Sequence, residues 1–373
     1  MSSVARAGAS LSPEKRLALL ARRGIAVPLF IFSADLGLYG LCVFGAVASG
    51  DTWIRLSLSV LAGVFVSLLA IVGHDAGHRS FTSVRWLNDV IGTVAFLPSL
   101  HPFGRWKHHH NQIHHRYTAQ LGIDNAYPPM TVDAYERAGT TARALYRFKR
   151  SLAGQATHYL LDIWLPKMFL PGRREQAQLR SRDWFELALV WAWPFVFVGL
   201  TGSLLHVAAG RDLGAAFIDA GLFGLLIPFA VWNLFISFVT IVQHTGPDAH
   251  WIAPTGRPSS SRQKIRGTVH ILFPEVLDRF FHRVMQHPAH HIHSGVPLYL
   301  LKQAETELEA HGADAAIVSA RWTPLYHWRL TRDCKLYDPH RDAWCNFALQ
   351  TTTGTCAGSP ASAGVHAEAL PAS

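Results

Sequence analysis

Residues 53–78 read WIRLSLSVLAGVFVSLLAIVGHDAGH. From Trp53 to Gly73 the only charged side chain is Arg55, near the start. A helix of ~20 such residues crosses the ~30 Å hydrocarbon core of a bilayer. The span then runs directly into His74 and His78, whose i, i+4 spacing puts both imidazoles on one helical face. Ile25–Ser49, Trp184–Gly210 and Gly214–Val242 have the same apolar character. Only Gly50-Asp51-Thr52 separates the first two spans and only Arg211-Asp212-Leu213 the last two, so each pair must turn back as an antiparallel hairpin. Leu87–Leu100 is too short to cross and reads as an interfacial or re-entrant helix, capped by Asn88 or Asp89 and ended by Pro98. Leu160–Leu170, with Asp162, Trp164 and Lys167, reads as a segment at the headgroup level.

The expected fold is therefore an all-α integral membrane protein. It has four transmembrane helices in two hairpins, interfacial helices, and a cytoplasmic helical cap carrying the histidines. Residues 1–24 form an N-terminal cytoplasmic segment and 25–347 the main domain. Residues 348–373 form a tail, expected to be disordered because Gly354–Ser373 is mostly Ala, Gly, Ser and Pro. Two hairpins leave the N-terminus, the loop His74–Asp183 and everything after Val242 on one side. Arg6, Lys15, Arg16, Arg22 and Arg23 precede the first span. Arg105, Lys107, Arg143, Arg147, Lys149, Arg150, Arg173 and Arg174 lie in the loop, against little beyond Arg55 and Arg211 opposite. By the positive-inside rule the large polar side is cytoplasmic.

Composition agrees with this reading. Of 373 residues, 49% are apolar and 16% charged, where soluble proteins carry about 25% charge. The net charge is +9, but the basic residues flank apolar spans and no nucleic-acid motif is present, so lipid headgroups rather than nucleic acid are the expected anions. Cys42, Cys334, Cys345 and Cys356 form no CxxC pair and read as reduced and incidental. Ala46-Val47-Ala48 resembles a signal cleavage site, but the preceding apolar run exceeds the usual ~7–15 residues, so the first span is expected to be retained. Asp35 lies inside that span, where a carboxylate is expected to face the bundle or a local polar partner.

The 22 histidines cluster. His74 and His78 are followed by HHHNQIHH (His108 to His115), in which His110 and His114 repeat the i, i+4 spacing with His115 beside them. His108 and His109 are expected to lie off the common centre. HPAHH (His287 to His291) then places His287, His290 and His291 on one helical stripe. All three groups fall at the same membrane face. Imidazole without thiolate suits Zn, Cu, Fe or Ni, and eight ligands are too many for one four-coordinate zinc but suit two octahedral ions. A dinuclear site fed by an apolar bundle points to oxidation of a lipid, because no amino-acid side chain attacks an unactivated C–H bond. His101, His158, His250, His270 and His327 are expected in structural roles, and His293 on another face. Trp184, Trp191 and Trp193 of the third span are expected in packing and anchoring rather than along an acyl tunnel.

HDAGHRSF (His74 to Phe81), HNQIHHRYT (His110 to Thr118) with Asp124, LLDIWLPKMFLP (Leu160 to Pro171), VQHTGPDAHW (Val242 to Trp251), RGTVHILFP (Arg266 to Pro274), HPAHHIHSGVPLYLL (His287 to Leu301) and CKLYD (Cys334 to Asp338) together resemble the membrane-bound fatty acid desaturases. Within that histidine-box di-iron family the chain is similar to bacterial omega-6 (delta-12) acyl-lipid members. The resemblance implies that His74, His78, His110, His114, His115, His287, His290 and His291 bind two iron ions, with His244 completing the shell. It also implies O2 as co-substrate and an acyl lipid or acyl thioester as substrate. Electrons would come from an external ferredoxin or cytochrome b5-type donor, and the location would be a bacterial inner membrane. The chain departs from the family at Gly246, Ala119 and Arg283, which leaves the ligand positions intact. Gln286 suggests a QxxHH variant, but His287 occupies the ligand position. The histidine boxes alone do not separate a desaturase from a hydroxylase, ketolase or acetylenase on the same scaffold. A metal transporter or haem protein would carry its histidines within the spans, whereas here only His206 lies in the third, near its outer end.

Overall fold

The computed structural model describes residues 12–310 and 317–353. Among the described residues four helices are long and apolar enough to cross a membrane. In chain order the elements that position the site are α1 (Pro13–Leu20), α2 (Ala26–Ala48), α3 (Thr52–Gly77), α4 (Arg85–Phe96), α5 (Phe103–His108), α6 (Ser181–Ala209), α7 (Leu213–His244), α8 (His287–Ile292) and α9 (Leu301–Ala310). The spans α2, α3, α6 and α7 each match one apolar stretch of the sequence. Their limits follow capping chemistry rather than hydropathy. Asp51 starts α3 by accepting the Ile54 N–H at 2.9 Å, and Asp212 starts α7 by accepting that of Ala215 at 3.0 Å. Gly210 ends α6 in the left-handed region at φ 62°, where a side chain would be strained.

Pro228 lies inside α7 and lacks the N–H that an unbroken helix needs. A π-helical stretch, Leu222–Leu226, directly precedes it. There α3 and α7 come so close that a Cβ on Gly63 would lie 2.5 Å from Val231 Cβ. At the far ends of the spans, Arg55 and Arg211 both pair with Asp219. Arg211 also donates to the Ser49 carbonyl at 2.7 Å, so the two lone cations of that side share one carboxylate.

Outside the spans, α1 packs against α9 and buries Leu17 completely. Among the described residues five short strands lie between the helices outside the spans. β2 (Val269–Leu272) pairs in parallel with β3 (Val318–Arg321), and β1 (Met130–Thr131), β4 (Leu336–Asp338) and β5 (Ala343–Cys345) form a second sheet. Strands this short carry no period that a sequence reading can detect. Thr352 hydrogen-bonds back to Trp344 at 2.9 Å; the expected tail from Gly354 onward, with Cys356, lies outside the described residues.

One local expectation also changes. α4 begins at Arg85 with Val84 as its cap, so neither Asn88 nor Asp89 caps it. Asn88 instead braces the preceding loop through the N–H and C=O of Thr82, both at 2.9 Å. Leu160–Leu170 is a π-helix, Tyr159–Phe169. Asp35 does have a polar partner, and it comes from far along the chain: His282 Nε2–H donates to its carboxylate at 2.7 Å.

Candidate metal centre

All nine candidate histidines converge, but in a partition that sequence spacing does not show. His74, His78, His110, His115 and His290 form one group. His114, His244, His287 and His291 form a second, and within each the ligand atoms lie within 4.8 Å of one another. The cause is local helix geometry. His109–His114 is π-helical, and the His115 N–H bonds the His110 carbonyl five residues back at 2.9 Å. That wider turn aligns His110 with His115 and aims His114 elsewhere. His110 and His114, one i, i+4 pair in sequence, thus fall in different groups.

α8 splits in the same way. His287 and His291, one turn apart, serve the second group, while His290 turns to the first. His115 and His291 stack at 4.2 Å where the groups adjoin. His74 lies in the last turn of α3, with His78 capping that helix. His244 ends α7, so the two central spans each deliver a ligand-type side chain at their polar end. His109 turns away to Glu175 at 3.2 Å, and His108 joins neither group.

The polar partners of these rings fix their direction. His114 donates from Nδ1 to Asp124 at 2.7 Å, His244 to the Gly267 carbonyl at 3.3 Å and His291 to the Thr118 hydroxyl at 3.1 Å. Donation from Nδ1 leaves an Nε2 lone pair facing inward. Burial, reinforced by neighbouring imidazoles, holds His78, His110, His115, His287, His290 and His291 well below the ordinary imidazole pKa, so they are neutral at pH 7. Burial alone would raise the Asp124 carboxyl, but His114 beside it brings the group below the usual carboxylate range.

His287 Nε2 lies 2.8 Å from His244 Nε2 and 3.0 Å from His291 Nε2. With His244 and His291 both protonated on Nδ1, His287 can supply a proton to one contact only, so the other is lone pair against lone pair. His78 Nε2 is buried without any partner. A cation in each group satisfies these atoms, and an all-imidazole donor set suits iron among the borderline metals.

An apolar cavity opens onto both groups. Ala70, Ile71, Phe96, Ile163 and Trp232 line its walls, and His74, His110, His114, His244, His287 and His290 lie at its polar end. One polar pair sits in the wall: Tyr159 O–H donates to His101 Nε2 at 3.1 Å while His101 Nδ1–H donates to the Ser99 carbonyl at 2.8 Å. Burial lowers His101 to about 4. The tryptophans of the cavity wall are Trp106 and Trp232. Trp184, Trp191 and Trp193 do not line it, and Trp191 instead donates to the Phe169 carbonyl at 2.8 Å. His101 has the structural role expected of it, while Tyr159 and Trp232 escaped the sequence reading, since each is separately an ordinary buried residue.

The family model "Fatty acid desaturase" matches residues 51–322. An sn-1 oleoyl-lipid 12-desaturase of Synechocystis sp. is 30% identical over 304 residues, covering 77% of this chain and 76% of that protein. A protein of the same name from Picosynechococcus sp. is 27% identical and covers 83% of each chain. A chloroplastic omega-6 fatty acid desaturase of Glycine max is 26% identical, over 82% of this chain and 68% of its own.

Proposed function

The chain belongs to the fatty acid desaturase family, and from that premise we propose that its nine clustered histidines hold two iron ions, five on one and four on the other. It is an oxidoreductase of membrane fatty acyl lipids. The finer reading is a cis double bond introduced at the 12 position of an oleoyl group carried on a lipid, as the names of the relatives suggest. An acyl thioester is the competing carrier. The observation that carries the reading is the apolar cavity ending at both histidine groups.

Bound iron would supply the O2 activation that removing hydrogen from unactivated methylenes requires. The overall balance is loss of two hydrogens from the acyl chain, with O2, two electrons and two protons becoming two waters. The chain's own residues do the rest. Ala70, Ile71, Phe96 and Trp232 bury the acyl chain and exclude water. Within that wall the His101–Tyr159 pair satisfies its own polar atoms. Asp124, Thr118 and the Gly267 carbonyl hold three ligand rings in the right tautomer. Electrons come from an external ferredoxin or cytochrome b5-type donor, which the basic segments on the cytoplasmic face of a bacterial inner membrane would attract.

Expression in a host that makes oleoyl lipids but no polyunsaturated ones tests this. New diunsaturated 18-carbon chains that disappear with His290→Ala support it. An unchanged lipid profile from a folded, iron-containing protein with its donor present would overturn it.

A further inference from the structure

A third group of metal-ligating side chains lies outside the nine. His270 on β2 meets Glu305 and Glu309, one turn apart on α9, with ligand atoms within 4.8 Å of one another. His270 Nδ1 lies 3.6 Å from Glu305 Oε1 and 3.4 Å from Glu309 Oε1. The His270 and Glu305 side chains are 9% and 2% exposed, and both His270 Nδ1 and Glu305 Oε1 are buried without a hydrogen-bond partner. Among the described residues neither glutamate has a Lys or Arg within 4.0 Å, and the nearby Lys302 ammonium is paired with Glu275. Two orphaned buried atoms thus face each other across a gap too long for a hydrogen bond.

That gap has the dimensions of a coordination edge. Ligands ~2.0–2.1 Å from one tetrahedral ion lie about 3.3–3.4 Å apart. We propose that His270, Glu305 and Glu309 form an accessory divalent-cation site of the zinc type, with its fourth position open to water beside the half-exposed Glu309. The site does not depend on what the nine histidines hold. Its consequence runs through the other oxygen of Glu305, which accepts the Ala289 N–H at 2.9 Å, between His287 and His290. An ion there joins β2 and α9 at a glutamate that also holds the helix carrying the third histidine motif.

The test uses the full-length iron-loaded protein in detergent, equilibrated with Zn2+, desalted, and assayed for zinc and iron. Wild type should retain about one zinc per chain with its iron unchanged, while His270→Gln and Glu309→Gln should bind that zinc at least ~10-fold more weakly and keep their iron. Cobalt in place of zinc provides a second readout, a tetrahedral visible spectrum present in wild type and absent in both variants. Zinc uptake only at the expense of iron, no uptake, or equal uptake by wild type and variants would each overturn the proposal. In those cases the three side chains are a buried polar cluster without metal.

Discussion

Asp124→Asn separates the work of a charge from that of a shape. The Asp124 carboxylate is 2% exposed and accepts three hydrogen bonds: Oδ1 from His114 Nδ1–H at 2.7 Å and the Ala126 N–H at 3.0 Å, and Oδ2 from the Ala119 N–H at 2.7 Å. Asparagine keeps one oxygen, which belongs on the side facing two donors, so its amide NH2 is set against the Ala119 N–H. That donor-to-donor contact costs about 1–3 kcal/mol of fold stability. On the other side, a charge-assisted bond to His114 becomes a neutral one and weakens by about 1 kcal/mol, which is about fivefold in metal affinity. Loss of an outer partner of a metal-bound histidine typically costs ~10–100-fold, which sets the upper limit. His114 belongs to the four-histidine group alone, so the loss should fall on one ion. Chelator competition followed by iron analysis should show one iron leaving about 5–100-fold more readily and the other at the wild-type rate. Release of both irons at wild-type rates with an unchanged melting temperature would refute the role given to Asp124, and equal weakening of both would refute the partition of the histidines.

The same partition predicts that His78→Ala and His244→Ala each lower iron by about one atom per chain, with the two variants losing spectroscopically distinct irons; identical residual spectra would contradict it. His101 supplies a pH prediction. Burial places it near 4 in the folded protein, against about 6.5 unfolded. The unfolded state therefore binds more protons between those values, and stability is full above about 6.5 and falls as pH drops towards 4. At about 1.4 kcal/mol per unit, thermal melts should show His101→Gln sparing about 2 kcal/mol of the wild-type loss between pH 6.5 and 5, and parallel pH profiles would count against the buried neutral ring. For topology, Ala253 and Gly50 are both exposed at opposite ends of the spans. In intact cells an impermeant thiol reagent should modify Gly50→Cys and spare Ala253→Cys, and the reverse pattern would invert the orientation.

Sequence spacing located the spans and the three histidine motifs because each signal is local: ~20 apolar residues, or imidazoles three to five positions apart. What it could not show was which imidazoles share a centre, because that depends on a π-helical turn at His109–His114 that no propensity encodes. The partner of Asp35 was hidden for a different reason, since His282 lies 247 residues away and meets it only through tertiary folding. His244 became a candidate through the family resemblance and not through spacing. Its place at the end of α7 has a physical sense only once α3 is seen delivering His74 to the same cavity. The cavity wall of His101, Tyr159 and Trp232 draws on three separate segments, so no window of sequence contains it. His270 stands alone in its stretch of sequence, and the two glutamates opposite it lie on a helix more than thirty residues further on.

The central claim is that the cavity delivers an acyl chain to a histidine-held iron pair for dehydrogenation. The most direct measurement is mass spectrometry of a purified turnover with an oleoyl lipid, O2 and a reduced ferredoxin- or cytochrome b5-type donor. The account predicts a product about two mass units lighter, with a new cis double bond, formed by the wild type and not by His290→Ala. A product about sixteen units heavier, carrying oxygen in place of a double bond, would contradict it.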